Sequence, residues 1–437
     1  MLPVAAPPLR DGAVLVEDGA IAAVGTADQA RGWPAADAVD DHGPHALVMP
    51  GLVDAHCHLE WSCFDGVVGP RPFGEWLRAF LPLRARMEPG DHAAAARHGA
   101  LRAARAGTTT LADAGPTGAG VGALATLGMR GVVHLEAFGA PAAGEAPRAA
   151  AEVARRGPAR AGEAPPRVRV GVSPHAPYSA GPALWRALAG EPALAGVPWT
   201  AHLAESADEE RAVLAATGPI ADLFAEAGFP MGRWDRPAGA GGAGDSVVAR
   251  VAAAGALRPG LIAAHCVRLR AGDIRRLRDA ATHVAHCPRS NGHLACGAAP
   301  VPGLLEAGVP VAIGTDSPAS GGDYDLRAEA RACRALFGAA GPDDRRLVGM
   351  ITRDGARALG LGDAVGALAP GMRADLLVLD AAGAGGSADP HALALSPRTR
   401  VRETLVDGEP VVRGGAHVAA DGEAIGAAAA AVAARLR

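Results

Sequence analysis

"GLVDAHCHLEWS", residues 51–62, is an apolar run that ends in two histidines, His56 and His58, one residue apart. Residues i and i+2 of a strand point to the same side, so the two imidazoles leave the run end together. Seven more runs of this kind follow: 107–115, 131–139, 168–179, 198–206, 261–267, 282–291 and 310–320. Helical stretches rich in Ala, Arg and Leu separate them. Strand then helix, eight times over, predicts an α/β fold, a (β/α)8 TIM barrel.

The chain ends read differently. Near the start, "GAVLVEDGAIAAVG" places two alternating apolar runs around Asp18-Gly19, a hairpin signal. Near the finish come "ADLLVLD", "VRETLVDGEPVV" with a second such signal at Asp407-Gly408, and "GAHVAADGEAI". These short strands predict a small composite β-sandwich built from residues 1–47 plus 371–437, around a barrel of residues 48–370. The closing "GAAAAAVAARLR" is expected to be helical from its alanine content. The Gly/Pro-rich segment 231–245 holds a GxGxxG match, Gly239 to Gly244, with no strand before it, and reads as loop composition. The first hairpin strand looks short, which leaves a start upstream of Met1 open.

Composition narrows the function. The 437 residues carry a formal charge of −4, giving no pull toward nucleic acid or a membrane surface. No apolar run is long enough to span a bilayer, and the first residues lack a signal-peptide pattern, so a cytoplasmic protein acting on a small molecule is expected. The six cysteines are scattered with no CxxC pair and read as reduced thiols; Cys57 and Cys287, beside histidines, read as apolar filler. There is no lysine, which rules out a P-loop, a Schiff-base lysine and a carbamylated-lysine metal bridge.

Six of the fifteen histidines fall at run ends: His56, His58, His175, His202, His265 and His286. In a barrel those ends converge on one face. His56, His58 and His202 with Asp316 of "GTDS" make three nitrogens and one carboxylate around a point, leaving a position for water, as a catalytic metal site requires. Glu205, three residues past His202, is placed to carry protons, and His265 to orient the water. The donor set suits one divalent ion, with Zn²⁺ the expectation and Fe²⁺ or Mn²⁺ also compatible. His286 and His293 stay open between packing and substrate contact.

The motifs "PGLVDAHCHLE", "GVSPHAPYS", "TAHLAES", "AAHCV", "AHCPRSN", "GTDSPAS" and "PGMRADLLVLD", in this order, resemble the amidohydrolase superfamily, and within it the mononuclear metal-dependent deaminases. That branch includes adenosylhomocysteine, methylthioadenosine, aminodeoxyfutalosine and guanine deaminases and triazine chlorohydrolases. The resemblance implies His56, His58, His202 and Asp316 as metal ligands, Glu205 as proton shuttle, His265 as the residue that positions water, Asp316 also as base, and His175 as a substrate contact. It implies hydrolytic deamination of an amidine-like ring carbon, and it suggests a homodimer.

Further substrate contacts are sought in Glu60 and Trp61, Arg84, Glu136, Arg289 and Ser290, and Ser317. Trp61 is open between stacking on a flat heterocycle and packing on "PFGEWLRAF". Arginines at a barrel mouth suit a carboxylate or phosphate. Adenosylhomocysteine-type members carry an acidic ribose-binding residue after "LP" in the segment past the first strand; "LPLRAR" has Arg84 there. This departure, with "HLEWS" and "CPRSN", makes aminodeoxyfutalosine, of the futalosine route to menaquinone, the expected substrate. Methylthioadenosine, adenosylhomocysteine, guanine, cytosine-type and triazine substrates are the alternatives, and a catalytically silent ligand-binding barrel is the reading from another class.

Overall fold

The computed structural model describes residues 1–140, 143–163, 165–229, 231–237, 244–270, 272–384 and 389–437. Eight strands form one parallel sheet in sequence order: β4 (Leu52–Cys57), β5 (Thr108–Gly115), β6 (Arg130–Ala137), β7 (Val168–Pro174), β8 (Trp199–Leu203), β9 (Leu261–His265), β10 (His283–His286) and β11 (Val311–Ile313). Seven lie inside a predicted run, and the eighth, β6, starts one residue before its run at 131–139. The ring closes between its first and last strands through a parallel bridge from Cys57 to Asp316. A barrel strand is covered by neighbours and helices, so continuous apolar runs are required rather than alternation; β4, β5, β6 and β8 are buried along their whole length.

The chain ends build an antiparallel sheet, as expected. β3 (Ala46–Pro50) pairs with β12 (Leu376–Asp380), followed by β13 (Arg400–Val406), β14 (Glu409–Arg413) and the two-residue β15 (Ala416–His417). The hairpin of β1 (Gly12–Glu17) and β2 (Ala20–Thr26) lies on it, with Ile21, Val14 and Val16 packed on Leu376 and Leu405. Both hairpin signals are turns with positive φ at two successive positions, Asp18 (50°) and Gly19 (74°), then Asp407 (53°) and Gly408 (80°). That geometry matches the twist of paired strands and favours an Asp-Gly sequence.

Two details differ from the sequence reading. "GAHVAADGEAI" makes only the short β15. The terminal helix starts at Gly422 because the Asp421 side chain accepts hydrogen bonds from the backbone N–H of Glu423 and Ala424. The GxGxxG match falls on residues 239–244, of which 239–243 lie outside the described residues. Among the described residues no helix is long and apolar enough to cross a membrane.

Candidate active site

The C-terminal ends of the strands carry the site. His56 lies in β4 and His58 just beyond it; Glu136 is near the end of β6, His175 follows β7, His202 lies in β8, and His265 ends β9. Asp316 follows β11 by three residues and is drawn in by backbone bonds on both sides: its N–H donates to the His56 carbonyl (3.0 Å) and its carbonyl accepts from His58 (2.9 Å). Such close approach needs Gly314, where a Cβ would sit 2.7 Å from the His56 oxygen. Asp316 itself is left-handed, φ 59°. Strain of this kind costs about 1–3 kcal/mol and persists where surrounding bonds over-determine the backbone. Asp54 supplies more of those bonds, accepting from the Thr315 N–H (3.1 Å), the Thr315 hydroxyl (2.5 Å) and the His56 N–H (3.2 Å).

Hydrogen bonding sets the histidine tautomers. His58 Nδ1 meets the Ala114 carbonyl at 2.8 Å, and His202 Nδ1 meets the His175 carbonyl at 2.8 Å. A carbonyl only accepts, so each Nδ1 holds the proton and each Nε2 presents a lone pair. Those two Nε2 atoms face each other at 3.1 Å. Asp316 Oδ1 lies 3.4 Å from His58 Nε2 and 3.8 Å from His56 Nε2, and neither ring nitrogen of the buried His56 has a hydrogen-bond partner. Burial, then the neighbouring histidines, hold His56 well below its usual pKa and push His202 down to about 3, so both rings are neutral. Facing lone pairs and a carboxylate repel unless a cation lies between them. The set therefore fits a divalent metal: His56, His58 and His202 lie close enough to share an ion, and His56 also groups with Asp316 and His265. The metal-ligating clusters among the described residues contain no cysteine; all six thiols are buried and unpaired.

Opposite this cluster, His265 Nδ1 donates to Asn291 Oδ1 (2.9 Å), which leaves His265 Nε2 bare at 3.6 Å from Glu205 Oε1. Burial, with the charges of Asp316 and Glu209, raises the Glu205 carboxyl well above the usual range. Burial thus favours the protonated form of Glu205, beside a bare imidazole nitrogen. Ser290 and Ser320 hydroxyls both donate to Asp316 Oδ2, at 2.5 and 2.7 Å.

The remaining candidates divide. Trp61, Arg84, Glu136, His175 and Ser317 line the pocket above the histidines. Trp61 packs on Phe80 (5.6 Å between centroids), as one of its two readings expected, and also borders the pocket. Arg84 sits 5.1 Å from the ring centres of Trp61 and Phe138. Glu60, Arg289 and Ser290 are not brought to the pocket lining. Glu60 turns away: one oxygen accepts from the N–H groups of Thr117, Gly118 and Ala119, and the other lies 2.7 Å from His92. Arg289 pairs with Asp323 (2.6 Å) and Glu329 (3.6 Å). Ser290 stands behind Asp316. His286 is buried with neither ring nitrogen bonded.

The sequence reading passed over Asn291, Ser320, Asp54 and Glu209. For Glu209 a signal existed, since Ser206-x-x-Glu209 is a capping-box pattern. For the others the partner is remote in sequence, and no local pattern marks them.

The profile of the amidohydrolase family matches residues 47–411. The chain belongs to the amidohydrolase family. This amidohydrolase shares 34% identity over 377 residues with a 5-methylthioadenosine/S-adenosylhomocysteine deaminase of Syntrophobacter fumaroxidans, covering 84% of this chain and 80% of that one. The protein of the same description from Moorella thermoacetica shares 33% over 389 residues, covering 87% and 84%. Among solved structures, a zinc-bound adenosine deaminase of Xanthomonas campestris superposes with a TM-score of 0.84 at 27% identity, covering 100% of this chain and 96% of that one. Guanine deaminase of E. coli shares the fold, with a TM-score of 0.72 at 20% identity, covering 92% and 93%. The amidohydrolase is a hydrolase of C–N bonds and a metal-dependent deaminase, as the sequence reading expected.

Proposed function

We propose that the protein hydrolytically deaminates the adenine of a 5′-substituted nucleoside that carries an acidic group. The observation that carries the chemistry is a buried Glu205, its carboxyl biased toward the protonated form, facing the bare Nε2 of His265 beside a histidine cluster closed by Asp316. The relatives described as methylthioadenosine and adenosylhomocysteine deaminases support the nucleoside. Arg84 supports the acid, because its guanidinium lies at the pocket against two aromatic faces and makes no ion pair among the described residues.

Bound at His56, His58, His202 and Asp316, a divalent ion, zinc in this reading, lowers the pKa of water toward neutrality. The chain's own residues do the rest. His265 orients the water and donates no proton of its own from Nε2. Asp316 takes a proton from the attacking water, its plane fixed by Ser290 and Ser320. Glu205 delivers its proton to the ring nitrogen next to the attacked carbon; the proton taken up by Asp316 passes to the amino group, which leaves as ammonia, and the hydroxyl proton on the attacked carbon returns to Glu205 as the carbonyl forms. The products are the hypoxanthine compound and ammonia. Glu136 and His175 face the substrate above His58 and His202.

Aminodeoxyfutalosine, which would place the protein in menaquinone synthesis, remains a reading that one feature favours. Trp61 and Phe138 flank Arg84 as a frame suited to a benzoate. Buried free thiols support a reducing, cytoplasmic setting. The test is to incubate metal-loaded protein with adenosylhomocysteine, methylthioadenosine and aminodeoxyfutalosine, following the ultraviolet shift from adenine to hypoxanthine. Turnover of an acid-bearing compound well above methylthioadenosine is expected, with Glu205→Gln about 10²–10⁴-fold slower. Equal rates on all three would remove the role of Arg84. Full activity in Glu205→Gln would remove the proposed mechanism.

A further inference from the structure

Glu209 stands four residues beyond Glu205 and does not line the pocket above the histidines. It is fully buried, at the third position of the helix Ala207–Ala215. In an ordinary capping box the acid at this position reaches back to the N–H of the capping residue, here Ser206. The Ser206 half of the exchange is present: its hydroxyl accepts from the Glu209 N–H at 3.0 Å. The Glu209 carboxylate reaches further back. Oε2 accepts from the N–H of Glu205 at 2.5 Å, and Oε1 from the N–H of Ala204 at 3.3 Å.

Two consecutive N–H groups converge on one carboxylate because the chain turns at Ala204, which is left-handed with φ 52°. β9 ends with the same turn, His265 at 72° and Cys266 at 49°. The two strand ends are tied together: Cys266 N–H donates to the Leu203 carbonyl (3.1 Å) and Arg268 N–H to the Ala204 carbonyl (2.8 Å). The backbone from 203 to 205 is thereby held to β9 on its carbonyl side and to Glu209 on its N–H side. Between these two anchors the Glu205 side chain projects toward His265. Remove the second anchor and the left-handed turn, unfavourable for alanine, loses the bonds that offset its strain.

We infer that Glu209 is a positioning residue for the reaction: its carboxylate fixes the backbone of Glu205 and so aims the Glu205 acid at His265 and the substrate. The inference rests on the reading of Glu205 as the proton carrier. It assigns to Glu209 no contact with substrate or metal.

The test measures kcat, KM, bound metal and Tm for Glu209→Gln, Glu209→Asp, Ser206→Ala and Glu205→Gln in the metal-loaded enzyme. A glutamine keeps one acceptor oxygen of two, and an aspartate is one methylene too short to reach the Glu205 N–H. For both, kcat is expected to fall about 10- to 100-fold, the scale of an ångström of misplacement, with KM within about twofold and metal content unchanged. Ser206→Ala removes the cap and leaves the carboxylate's bonds in place, so Tm falls while kcat stays near that of the parent. A kcat in Glu209→Gln within about twofold of the parent overturns the inference. So does a loss of metal and folded protein in both Glu209 variants, which would make the residue part of the scaffold alone. If Glu205→Gln is itself fully active, the reading of Glu205 fails instead, and the two failures are told apart.

Discussion

Two imidazole nitrogens 3.1 Å apart, each with its proton on the far side of the ring, are the smallest feature that speaks for a metal. That His56 and His58 point the same way was readable from strand periodicity alone. The carbonyls of Ala114 and His175 that select the tautomers were not, because they lie 56 and 27 residues away. Asn291 is the same kind of residue, and its prediction belongs here. By accepting from His265 Nδ1 it keeps Nε2 bare, so Asn291→Ala frees the ring to take the other tautomer. Steady-state assays are expected to show kcat about 10- to 100-fold lower, with full metal occupancy by elemental analysis.

Elements carry these residues to one place, and their order was legible since each of the eight runs is a local pattern. The loops were less so. Asp245 illustrates why: it lies at the end of a Gly/Pro-rich segment, yet it is buried and bonded by Arg250 and Arg236. The hydrogen bond from Arg250 is the main reason its carboxyl is held down to about 2. A depressed carboxyl pKa adds stability above its unfolded value of 3.8, and that stability is lost as pH falls toward 2. Asp245→Asn is therefore expected to lower Tm at pH 6, with the gap from the parent narrowing between pH 4 and pH 2 in thermal melts. Arg250 also donates to the carbonyls of Val213, Trp234 and Leu214, so Arg250→Met should be the more damaging change.

At the scale of the molecule, one ion pair network joins barrel to small sheet. Arg130 at the start of β6 grips Asp375 with two bonds (2.9 and 3.0 Å) and Asp407 with a third (2.6 Å), and Arg373 adds a bond to Asp407. Arg130→Met leaves two carboxylates without their shared cation, and urea unfolding should show a loss of about 3–5 kcal/mol. A metal held by the clustered histidines and Asp316 would be a second tie. His56, His202 and Asp316 come from β4, β8 and the segment after β11, so a bound ion spans the seam where the ring closes. A ligand held only by the folded state stabilises it by about 4 kcal/mol at a thousandfold excess over Kd. Chelation followed by dialysis is expected to abolish activity and lower Tm together, with both restored by added zinc.

What the sequence determined by itself was the periodic and the local: eight runs for a barrel, Asp-Gly turns for the small sheet, and histidines placed at strand ends. Burial of apolar strand residues and the φ preferences of turn residues are short-range properties, so a linear reading reaches them. The tertiary structure alone decided which polar groups meet. Arg84 and Arg289 look alike as arginines near a barrel mouth, but Arg289 is held by Asp323 and Glu329 while Arg84 stands at the pocket. Glu60 and Glu136 look alike as acids near strand ends, but only Glu136 lies against the clustered His58 and His175, while Glu60 is taken up by the backbone N–H groups of 117–119 and by His92. A side chain's charge is written in its identity; whether that charge is already paired depends on partners tens to hundreds of residues distant, and only folding brings them together.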